Sequence, residues 1–246
     1  MGMRKADYML LYYLRHADPI YSPDSLTPQG IRQAEALAHR LSGCDLDRIY
    51  CSSSNRAKLT AQPTADIIGK EIKILDWCNE SYAWKDLTVR RDDGFLTWCF
   101  FHKPIVELFQ SNEVRKLGMQ WYNHPTFKDT RFKEGYLRIE RETYAFLESL
   151  GYKHDVEKNA YIPIAPTNER VALFAHAGFG LAFLSVLLDI PYPMVTTKMD
   201  IQHSGMTVIN FEEKEGIVVP KMLQLSNDSH LYRDGLPTKY NNQIKI

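Results

Sequence analysis

Residues 8–18 read Tyr-Met-Leu-Leu-Tyr-Tyr-Leu-Arg-His-Ala-Asp. The apolar run over residues 8–14 predicts a strand, and it places Arg15 and His16 at the carboxyl end of that strand. Ligands of open α/β sheets bind at this edge. The stretch therefore predicts both a sheet and the position of a functional site.

A distant stretch, residues 170–180, repeats this arrangement. Residues 171–175 are an unbroken apolar run, typical of a fully buried strand, and His176 follows directly. An apolar helix comes next. Because two strands each end in a histidine, we expect the imidazoles of His16 and His176 to meet at one phosphate.

Strands and helices alternate after the first strand. Thr27 suits the N-cap of a helix and Pro28 its first position, while Pro63 predicts a kink or restart in the following helix. The predicted segments, in chain order, are a loop over 18–25, a helix from 28 to a stop at Gly43, a strand over 47–51, a helix running towards Gly69 and a strand over 72–75.

The second part of the chain begins with a change in composition. Residues 81–132 mix many aromatic side chains with arginine and lysine, and we interpret them as an insertion. The segments predicted from there on are helices over 104–117, 133–150 and 180–188, strands over 205–211 and 217–225, a polar run over 152–168 and a loosely held tail from Ser226.

This alternation predicts an α/β fold, a three-layer αβα sandwich with a mostly parallel sheet. We expect a single domain over residues 1–246, with an inserted helical and aromatic cap at roughly 81–132.

The composition is that of an ordinary globular protein. The 30 lysine and arginine residues equal the 30 aspartate and glutamate residues, so no overall field attracts nucleic acid or an anionic membrane. The four cysteines form no CxxC pair, so neither a zinc site nor a redox motif is indicated. With no signal-like or membrane-spanning apolar run in the sequence, we expect a cytoplasmic protein.

Arg15, His16, Arg56 and His176 converge at one sheet edge if the strands are ordered as this topology suggests. Guanidinium groups match phosphate oxygens in a bidentate fashion, and a neutral imidazole is a nucleophile that can attack phosphorus. Glu80, after the third strand, is then a candidate to protonate the leaving oxygen. The set predicts an oxyanion cage with a phosphohistidine intermediate.

The sequence resembles the histidine phosphatase superfamily, which is also called phosphoglycerate mutase-like. Glu80 stands where the first branch of that family carries its proton donor. The other matching blocks are Leu14-Arg15-His16-Ala17, Ser25-Leu26-Thr27-Pro28-Gln29-Gly30 with Gln33-Ala34, Ser52-Ser53-Ser54-Asn55-Arg56-Ala57 with Thr60-Ala61, and Ala175-His176-Ala177-Gly178.

The resemblance implies the roles of these residues. His16 would be the phosphorylated nucleophile and Glu80 the general acid, then the base for water. Arg15, Arg56 and His176 would bind the phosphoryl group. In two departures from the family pattern, Ala17 replaces the usual glycine, and Asp18 stands where Glu, Gln or Thr is commoner. Because His176 precedes alanine rather than aspartate, the first branch fits better than the acid-phosphatase branch.

Four further residues are candidates for contact with the substrate. Asp18 follows the nucleophile, and His203 precedes a strand whose start could place it in the pocket. In the insertion, Arg90 and Arg91 are candidates because loops over a phosphate site decide specificity.

We therefore expect a phosphomonoester hydrolase that needs neither a metal ion nor an organic cofactor. A phosphoglycerate mutase-like phosphotransferase and a phospho-ligand binding module without turnover stay open as alternatives. The expected partner is a small phosphorylated substrate, with no nucleic acid and no membrane, and a homodimer is an open possibility. A dinucleotide site and a serine hydrolase are disfavoured, because Gly178-Phe179-Gly180 has no third glycine and Ser52-Ser53-Ser54 forms no nucleophile elbow.

Overall fold

The computed structural model describes residues 8–238. Its strands are β1 (Tyr8–Arg15), β2 (Pro19–Tyr21), β3 (Asp24–Leu26), β4 (Arg48–Ser52), β5 (Ile72–Leu75), β6 (Thr88–Arg90), β7 (Leu96–Trp98), β8 (Tyr152–Asp155), β9 (Ala160–Pro163), β10 (Arg170–Ala175), β11 (Met206–Lys214), β12 (Ile217–Val218) and β13 (Lys221–Asn227). Its helices are α1 (Pro28–Leu41), α2 (Asn55–Ile68), α3 (Glu80–Leu87), α4 (Lys103–Gln110), α5 (Asn112–Lys116), α6 (Phe132–Ser149), α7 (Ala177–Leu187), α8 (Tyr192–Thr196) and α9 (Ser229–Arg233). Short 3-10 helices lie at Asp76–Cys78, Cys99–Phe101, Gly118–Asn123 and Pro125–Phe127.

One large sheet runs through the molecule in the order β5-β4-β10-β1-β11-β12-β9-β8, and β13 pairs with β11. The four strands from β5 to β1 are parallel to one another. All pairings beyond β1 are antiparallel. The sheet is therefore mixed, and the prediction of a mostly parallel sheet holds only for the half from β5 to β1. In the other half, short turns join β8 to β9 and β11 to β12, as antiparallel pairs allow.

The alternation of side chains along β1 divides the core into two layers. Leu10, Tyr12 and Leu14 pack with apolar side chains of α1 and α2. Met9, Leu11 and Tyr13 point the other way and pack with a larger cluster that includes α6 and α7. Helices thus cover both faces of the sheet, which confirms the predicted three-layer αβα fold.

Several predicted helix ends are found in the structure. Thr27 caps α1, its hydroxyl accepting a hydrogen bond from the Gly30 N–H, and Ser54 caps α2 in the same way. Gly69 ends α2 in the left-handed region with φ of 65°, where a glycine carries no steric cost. Pro63 does not break α2, which continues to Ile68.

Four predicted segments differ from the structure. The strand predicted over 217–225 is two strands, β12 and β13, with a break at residues 219–220. The loop over 18–25 contains the hairpin of β2 and β3, and the polar run over 152–168 contains β8 and β9. The predicted helix over 104–117 is two helices, because Ser111 adopts extended geometry and its hydroxyl caps α5 at the Val114 N–H. Short polar strands of this kind carry little periodicity in the sequence.

Residues 81–132, which the sequence predicts to be an insertion, have two different surroundings. Phe109, Trp121 and Phe127 are buried in the same apolar cluster as α6 and α7. Trp121 also stacks on Tyr192 of α8, with 4.9 Å between ring centroids. Much of the insertion therefore packs against the body of the molecule, whereas the hairpin of β6 and β7 extends from the end of α3.

The tail is packed as far as the structure describes it. His230 and Leu231 of α9 are buried, and Leu231 joins Leu236 against Ala36 of α1. The prediction of a loosely held tail is thus wrong for residues 226–238, and residues 239–246 lie outside the described part. Among the helices within residues 8–238, none has the length and apolar content that crossing a bilayer requires.

Candidate active site

The two histidines at the strand ends lie side by side. Strands β1 and β10 are parallel neighbours with Arg15 opposite Ala175, so both strands end at the same edge of the sheet. The ring centroids of His16 and His176 are 5.2 Å apart, and both residues are buried. The Tyr13 hydroxyl reinforces this junction, since it donates to the His176 carbonyl at 2.5 Å and accepts from the His176 N–H at 3.2 Å.

The proton of neutral His16 is fixed on one ring nitrogen. His16 Nδ1 lies 2.7 Å from the Ala17 carbonyl oxygen, which can only accept a hydrogen bond. Nδ1 therefore carries the proton, and Nε2 keeps its lone pair. The Ala17 N–H in turn donates to the Thr60 hydroxyl of α2 at 3.0 Å, which holds this turn in place.

The charge state of His16 follows from its surroundings. Burial, followed by the positive charges of Arg15 and Arg56, lowers the pKa of His16 well below its ordinary value of 6.5. His16 is consequently neutral at physiological pH. A buried neutral imidazole with a free Nε2 is the form that acts as a nucleophile.

His176 is held through both of its ring nitrogens. Arg56 Nη2 donates to His176 Nδ1 at 3.2 Å, so this nitrogen is the acceptor, and Nε2 then donates to the Ser52 hydroxyl at 2.8 Å. The Ser54 hydroxyl is also near Nε2, at 3.4 Å. Burial, the neighbouring His16 and Arg56 lower the pKa of His176 well below its usual range.

Arg56 is oriented from the opposite direction by two residues of the first hairpin. Asp24 of β3 forms an ion pair with Arg56 Nη1 at 2.9 Å. The guanidinium carbon also lies 5.4 Å from the centroid of the Tyr21 ring, within the range of a cation–π contact. Arg56 lies in the first turn of α2, where its positive charge is repelled by the positive end of the helix dipole. This repulsion lowers stability by about a few tenths of a kcal/mol, and an anion bound at the same end of the helix offsets it.

Arg15 is held by a second set of contacts. Its Nη1 donates to the Ile201 carbonyl at 2.5 Å, and its Nη2 donates to His203 Nε2 at 2.7 Å. His203 Nδ1 then lies 3.5 Å from the Asp18 carboxylate, which also accepts a hydrogen bond from Thr27 at 2.8 Å. Asp18 and His203 thus form a chain of contacts behind Arg15.

The guanidinium groups keep unused donors. Within residues 8–238, the Nε atoms of Arg15 and Arg56 are buried and have no hydrogen-bond acceptor. Buried donors without a partner are costly, and an incoming anion would supply the missing acceptors. The two arginines are therefore suited to a phosphoryl group.

Glu80 stands at the start of α3 and faces the same histidine. One carboxyl oxygen accepts the Phe179 N–H at 3.0 Å, and the other lies 3.3 Å from His176 Nδ1. Burial raises the pKa of Glu80 above its ordinary value, although Phe179, Arg15 and Arg56 oppose the shift. Glu80 therefore retains a proton at a higher pH than an exposed carboxyl group, as a general acid requires.

The side chains of His16, Glu80 and His176 also have a geometry that could hold a metal ion. One nitrogen or oxygen atom from each of His16, Glu80 and His176 lies within 4.8 Å of the others. However, a cation at this position would face the charges of Arg15 and Arg56, which act on all three groups. The electrostatics of the cluster favour an anion.

A cavity of about 840 Å³ opens above this cluster. Its described walls comprise Tyr21, Asp24, Ser53, Ser54, Asn55, Arg56, Lys58, Asn79, Glu80, Ser81, Trp84 and Trp98. Arg56 and Glu80 line this cavity and also contact the buried His176, so they connect the cavity to the histidine pair. Its volume lies within the range of small-molecule sites.

Arg90 and Arg91 lie outside the walls of this cavity. Arg90 donates to the Gly94 carbonyl at 2.5 Å, and Arg91 pairs with Asp93 at 2.7 Å. Both side chains thus stabilise the turn of the β6–β7 hairpin. In this arrangement they do not reach the substrate cavity.

The supporting residues were not evident as such from the sequence. Ser52 and Ser54 lie in one of the blocks that resemble the family but have no predicted role, yet both contact His176, and Asp24 falls in the predicted loop over 18–25. Ser52 ends β4 and Ser54 lies just beyond it, and β4 pairs with β10, which ends just before His176, so strand order would have revealed the contact. Nothing local in the sequence identifies Asp24 as the partner of Arg56.

Comparison with known proteins bears on this cluster. The family model of the histidine phosphatase superfamily (branch 1) matches residues 13–92, a span that includes Arg15, His16, Arg56 and Glu80. A relative from Hydrogenobacter thermophilus, which carries the name phosphoserine phosphatase 2, is 22% identical over 220 residues, covering 85% of this chain and 93% of the relative.

Two solved structures show the same fold. A phosphoserine phosphatase from Entamoeba histolytica, solved with phosphoserine, has a TM-score of 0.57 and 19% identity and covers 91% of this chain and 99% of that chain. A mycobacterial glucosyl-3-phosphoglycerate phosphatase, solved with VO3, has a TM-score of 0.56 and 17% identity and covers 88% of this chain and 98% of that chain. Together with the family match, these findings confirm the resemblance noted in the sequence.

Proposed function

We propose that this chain, which the model of the histidine phosphatase superfamily (branch 1) matches over residues 13–92, belongs to that superfamily and hydrolyses phosphomonoesters through a covalent phosphohistidine at His16. The observation that carries the proposal is the contact of His16 Nδ1 with the Ala17 carbonyl at 2.7 Å. This contact leaves Nε2 as the free nucleophilic nitrogen beside two guanidinium groups. The chemistry needs neither a metal ion nor an organic cofactor.

In the first step, His16 Nε2 attacks phosphorus in line with the ester oxygen. The P–N bond forms, the P–O bond to the alcohol breaks, and Glu80 gives its proton to the leaving oxygen. Arg15 and Arg56 bind the equatorial phosphoryl oxygens and neutralise their charge. The raised pKa of Glu80 supplies the proton that this step consumes.

His176 adapts to the bound phosphoryl group through Ser52. A serine hydroxyl can donate or accept, so the bond between Ser52 and His176 Nε2 is compatible with either tautomer. Once the phosphoryl oxygens engage Arg56, His176 Nδ1 is free to carry the proton and donate to a phosphoryl oxygen. Ser52 then donates to Nε2.

In the second step, water attacks phosphorus from the side that the alcohol has left. Glu80, now a carboxylate, takes a proton from the water as the new P–O bond forms and the P–N bond breaks. Inorganic phosphate is released, and His16 and Glu80 return to their starting states. Each group thus ends one turnover ready for the next.

Asp18 and His203 act as positioning residues in this proposal. Their chain of contacts ends at Arg15 Nη2, so it fixes the guanidinium that binds the phosphoryl group. This interpretation replaces a direct contact between Asp18 and phosphate, because two negative groups would repel each other. The ring centroid of His203 lies 5.5 Å from that of His16.

The relatives support a small phosphorylated substrate, since their names and ligands refer to phosphoserine and glucosyl-3-phosphoglycerate. We also infer a cytoplasmic location from the four cysteines, which are all free thiols, three of them buried.

The test is hydrolysis of para-nitrophenyl phosphate in the presence of EDTA. We expect the wild-type protein to turn over and His16→Ala to lose activity by a factor on the order of 10³ or more, as for removal of other nucleophiles. Undiminished turnover by the variant would contradict the mechanism. Complete loss of wild-type activity with EDTA would show that a metal ion takes part.

A further inference from the structure

The cavity above the proposed nucleophile has an aromatic wall formed by Trp84 and Trp98. The two indole rings meet edge to face, with 5.0 Å between their centroids. Trp84 keeps 37% of its surface exposed. Two large apolar rings that face a polar-rimmed cavity are typical of a ligand site rather than of a core.

Trp84 lies on the path that the leaving alcohol must take. It follows Glu80 by four residues in α3, so both side chains project from the same face of that helix. The leaving oxygen must lie at Glu80, which gives it a proton in the proposed mechanism. The rest of the alcohol then extends one helical turn along α3, to the indole of Trp84.

Trp98 packs directly against the backbone of Gly178, next to the proposed phosphate site, because Gly178 has no side chain. A Cβ atom at Gly178 would lie 2.3 Å from the Trp98 ring, so only glycine permits this approach. Trp98 also stacks on Phe100, with 5.5 Å between centroids and 12° between planes. Gly178 is two residues after His176, so the ring stands next to the start of α7.

The β6–β7 hairpin holds the two tryptophans together. Thr88 is opposite Trp98 across the hairpin, and its hydroxyl donates to the Trp84 carbonyl at 2.8 Å. The end of α3 and the strand that carries Trp98 therefore form one unit. Contacts within the fold itself therefore hold the aromatic wall in its arrangement.

The charged groups of the cavity argue against a free amino acid as the alcohol. Among its described walls the carboxylates are Asp24 and Glu80. Asp24 is paired with Arg56, and Glu80 is the proton donor. Neither is available for an ammonium group, and the described walls hold no third carboxylate that could bind one.

We propose that the alcohol part of the substrate carries a flat unsaturated ring, which packs against Trp84 and Trp98 while its phosphate lies at His16. The substrate class is thus an aryl-, arylmethyl- or nucleoside-type phosphomonoester rather than the phosphate of a small polar alcohol. This inference rests on the proposed function. Its subject, however, is the binding of the alcohol, which can be measured without turnover.

The test compares 2-naphthylmethyl phosphate with propyl phosphate. Both release a primary alcohol, so the two substrates differ in the ring and not in the kind of leaving group. In Trp84→Ala, kcat/KM for the naphthylmethyl ester should fall roughly tenfold, the effect of losing one aromatic contact, and kcat/KM for propyl phosphate should fall much less. Trp84→Phe should restore most of the loss.

Phe95→Ala is the matched control. Phe95 lies in the same hairpin, is 73% exposed and is not among the described walls of the cavity. Its substitution should therefore leave kcat/KM unchanged for both substrates. If kcat/KM for the two substrates changes equally in Trp84→Ala, or changes for neither substrate, the proposal is overturned.

Binding of the corresponding phosphonates, measured by calorimetry, separates this inference from the proposed function. Wild-type protein should bind 2-naphthylmethylphosphonate more tightly than propylphosphonate, and this preference should be smaller in Trp84→Ala, which keeps only Trp98. If the wild-type protein turns over neither ester, the proposed function fails, and the phosphonates still decide whether the aromatic wall binds a ring. Equal affinities in the wild type would refute the inference on its own.

Discussion

The two ring nitrogens of His16 have different surroundings, and the proposed chemistry depends on that difference. Nδ1 is tied to the Ala17 carbonyl at 2.7 Å, which leaves Nε2 unprotonated. Burial and two arginines lower the pKa of His16, so the nucleophile stays neutral at pH values well below 6.5. The acid limb of the pH profile of kcat/KM should therefore lie below pH 6.5.

Glu80→Gln tests the general acid. Glutamine can still accept the Phe179 N–H, but it has no proton to give to a leaving alkoxide. For an alkyl phosphate we expect kcat/KM to fall by roughly 10²- to 10⁴-fold. For para-nitrophenyl phosphate the loss should be smaller, since its leaving group needs little protonation.

The pH profile of this variant provides a second readout. Step one needs protonated Glu80, so wild-type kcat/KM for an alkyl phosphate should fall as pH rises through the raised pKa of Glu80. Glu80→Gln should lose this alkaline limb. If the limb persists in the variant, another group supplies the proton.

The sequence predicted the meeting of the proposed reactive residues better than their supports. Arg15, His16 and His176 could be placed together because each lies at the end of a strand of one sheet. The tautomer of His16 could not be predicted, because it depends on the direction of one backbone carbonyl. The ion pair of Asp24 with Arg56 joins residues from two separate elements, so no local pattern contains it.

The first turn of α1 supports the segment that follows the nucleophile. The Thr27 N–H donates to the Asp18 carbonyl at 3.0 Å, and Gln33 accepts the Asp18 N–H at 2.8 Å. A Cβ atom at Gly30 would lie 2.2 Å from the same Asp18 carbonyl oxygen. The helix approaches this backbone so closely that only glycine fits.

Gly30→Ala should therefore destabilise the protein by about 1–3 kcal/mol, because either α1 or the Asp18 segment must move. It should also lower kcat, since Asp18 supports Arg15 through His203. Urea denaturation and steady-state kinetics measure the two effects.

Gly43→Ala is the control for this substitution. A Cβ atom at Gly43, just after α1, would have its nearest neighbour at 4.0 Å, so the free energy of unfolding should change by less than about 0.5 kcal/mol. Equal stabilities of the two variants would contradict the close approach at Gly30.

At the scale of elements, the sequence predicted what has a strong period or a clear cap. The helices α1, α2 and α6 were found near their predicted bounds, because apolar spacing and capping residues agree there. The short strands β8 and β9 were missed, since four polar or mixed residues carry no decisive pattern. The antiparallel half of the sheet follows from how these hairpins pair, which local sequence does not encode.

The whole molecule has buried histidines at the carboxyl edge of its parallel strands and beneath its tail. His230 of α9 is buried next to Ser204, with 2.9 Å between its Nε2 and the Ser204 hydroxyl oxygen. Burial lowers the pKa of His230 to about 4. Since the unfolded chain has a pKa near 6.5, the folded state binds fewer protons in the window between these values.

Stability should accordingly fall as pH decreases from about 6.5 to about 4. The contribution of His230 alone is up to about 3 kcal/mol over this window. The lowered pKa values of His16 and His176 also reduce stability as pH falls. The raised pKa of Glu80 has the opposite effect and adds stability at acid pH. The difference in unfolding free energy between wild type and His230→Gln isolates the single residue.

We expect the wild type to lose stability relative to His230→Gln as pH falls through this window, as measured by urea denaturation. His39→Gln, at an exposed position of α1, serves as the control and should follow the wild type. A His230→Gln curve parallel to that of the wild type would show that this histidine does not titrate on unfolding.

The central claim of the account is a phosphoryl group carried on His16. The most direct measurement is rapid quenching during turnover of a ³²P-labelled phosphomonoester, followed by peptide mapping of the labelled protein. We predict label on the peptide that contains His16, stable to alkali and lost in acid, as expected for a phosphoramidate. The label should disappear into inorganic phosphate once substrate is exhausted, and it should be absent from His16→Ala. Turnover without labelled protein at any quench time, or label on a residue other than His16, would contradict the account.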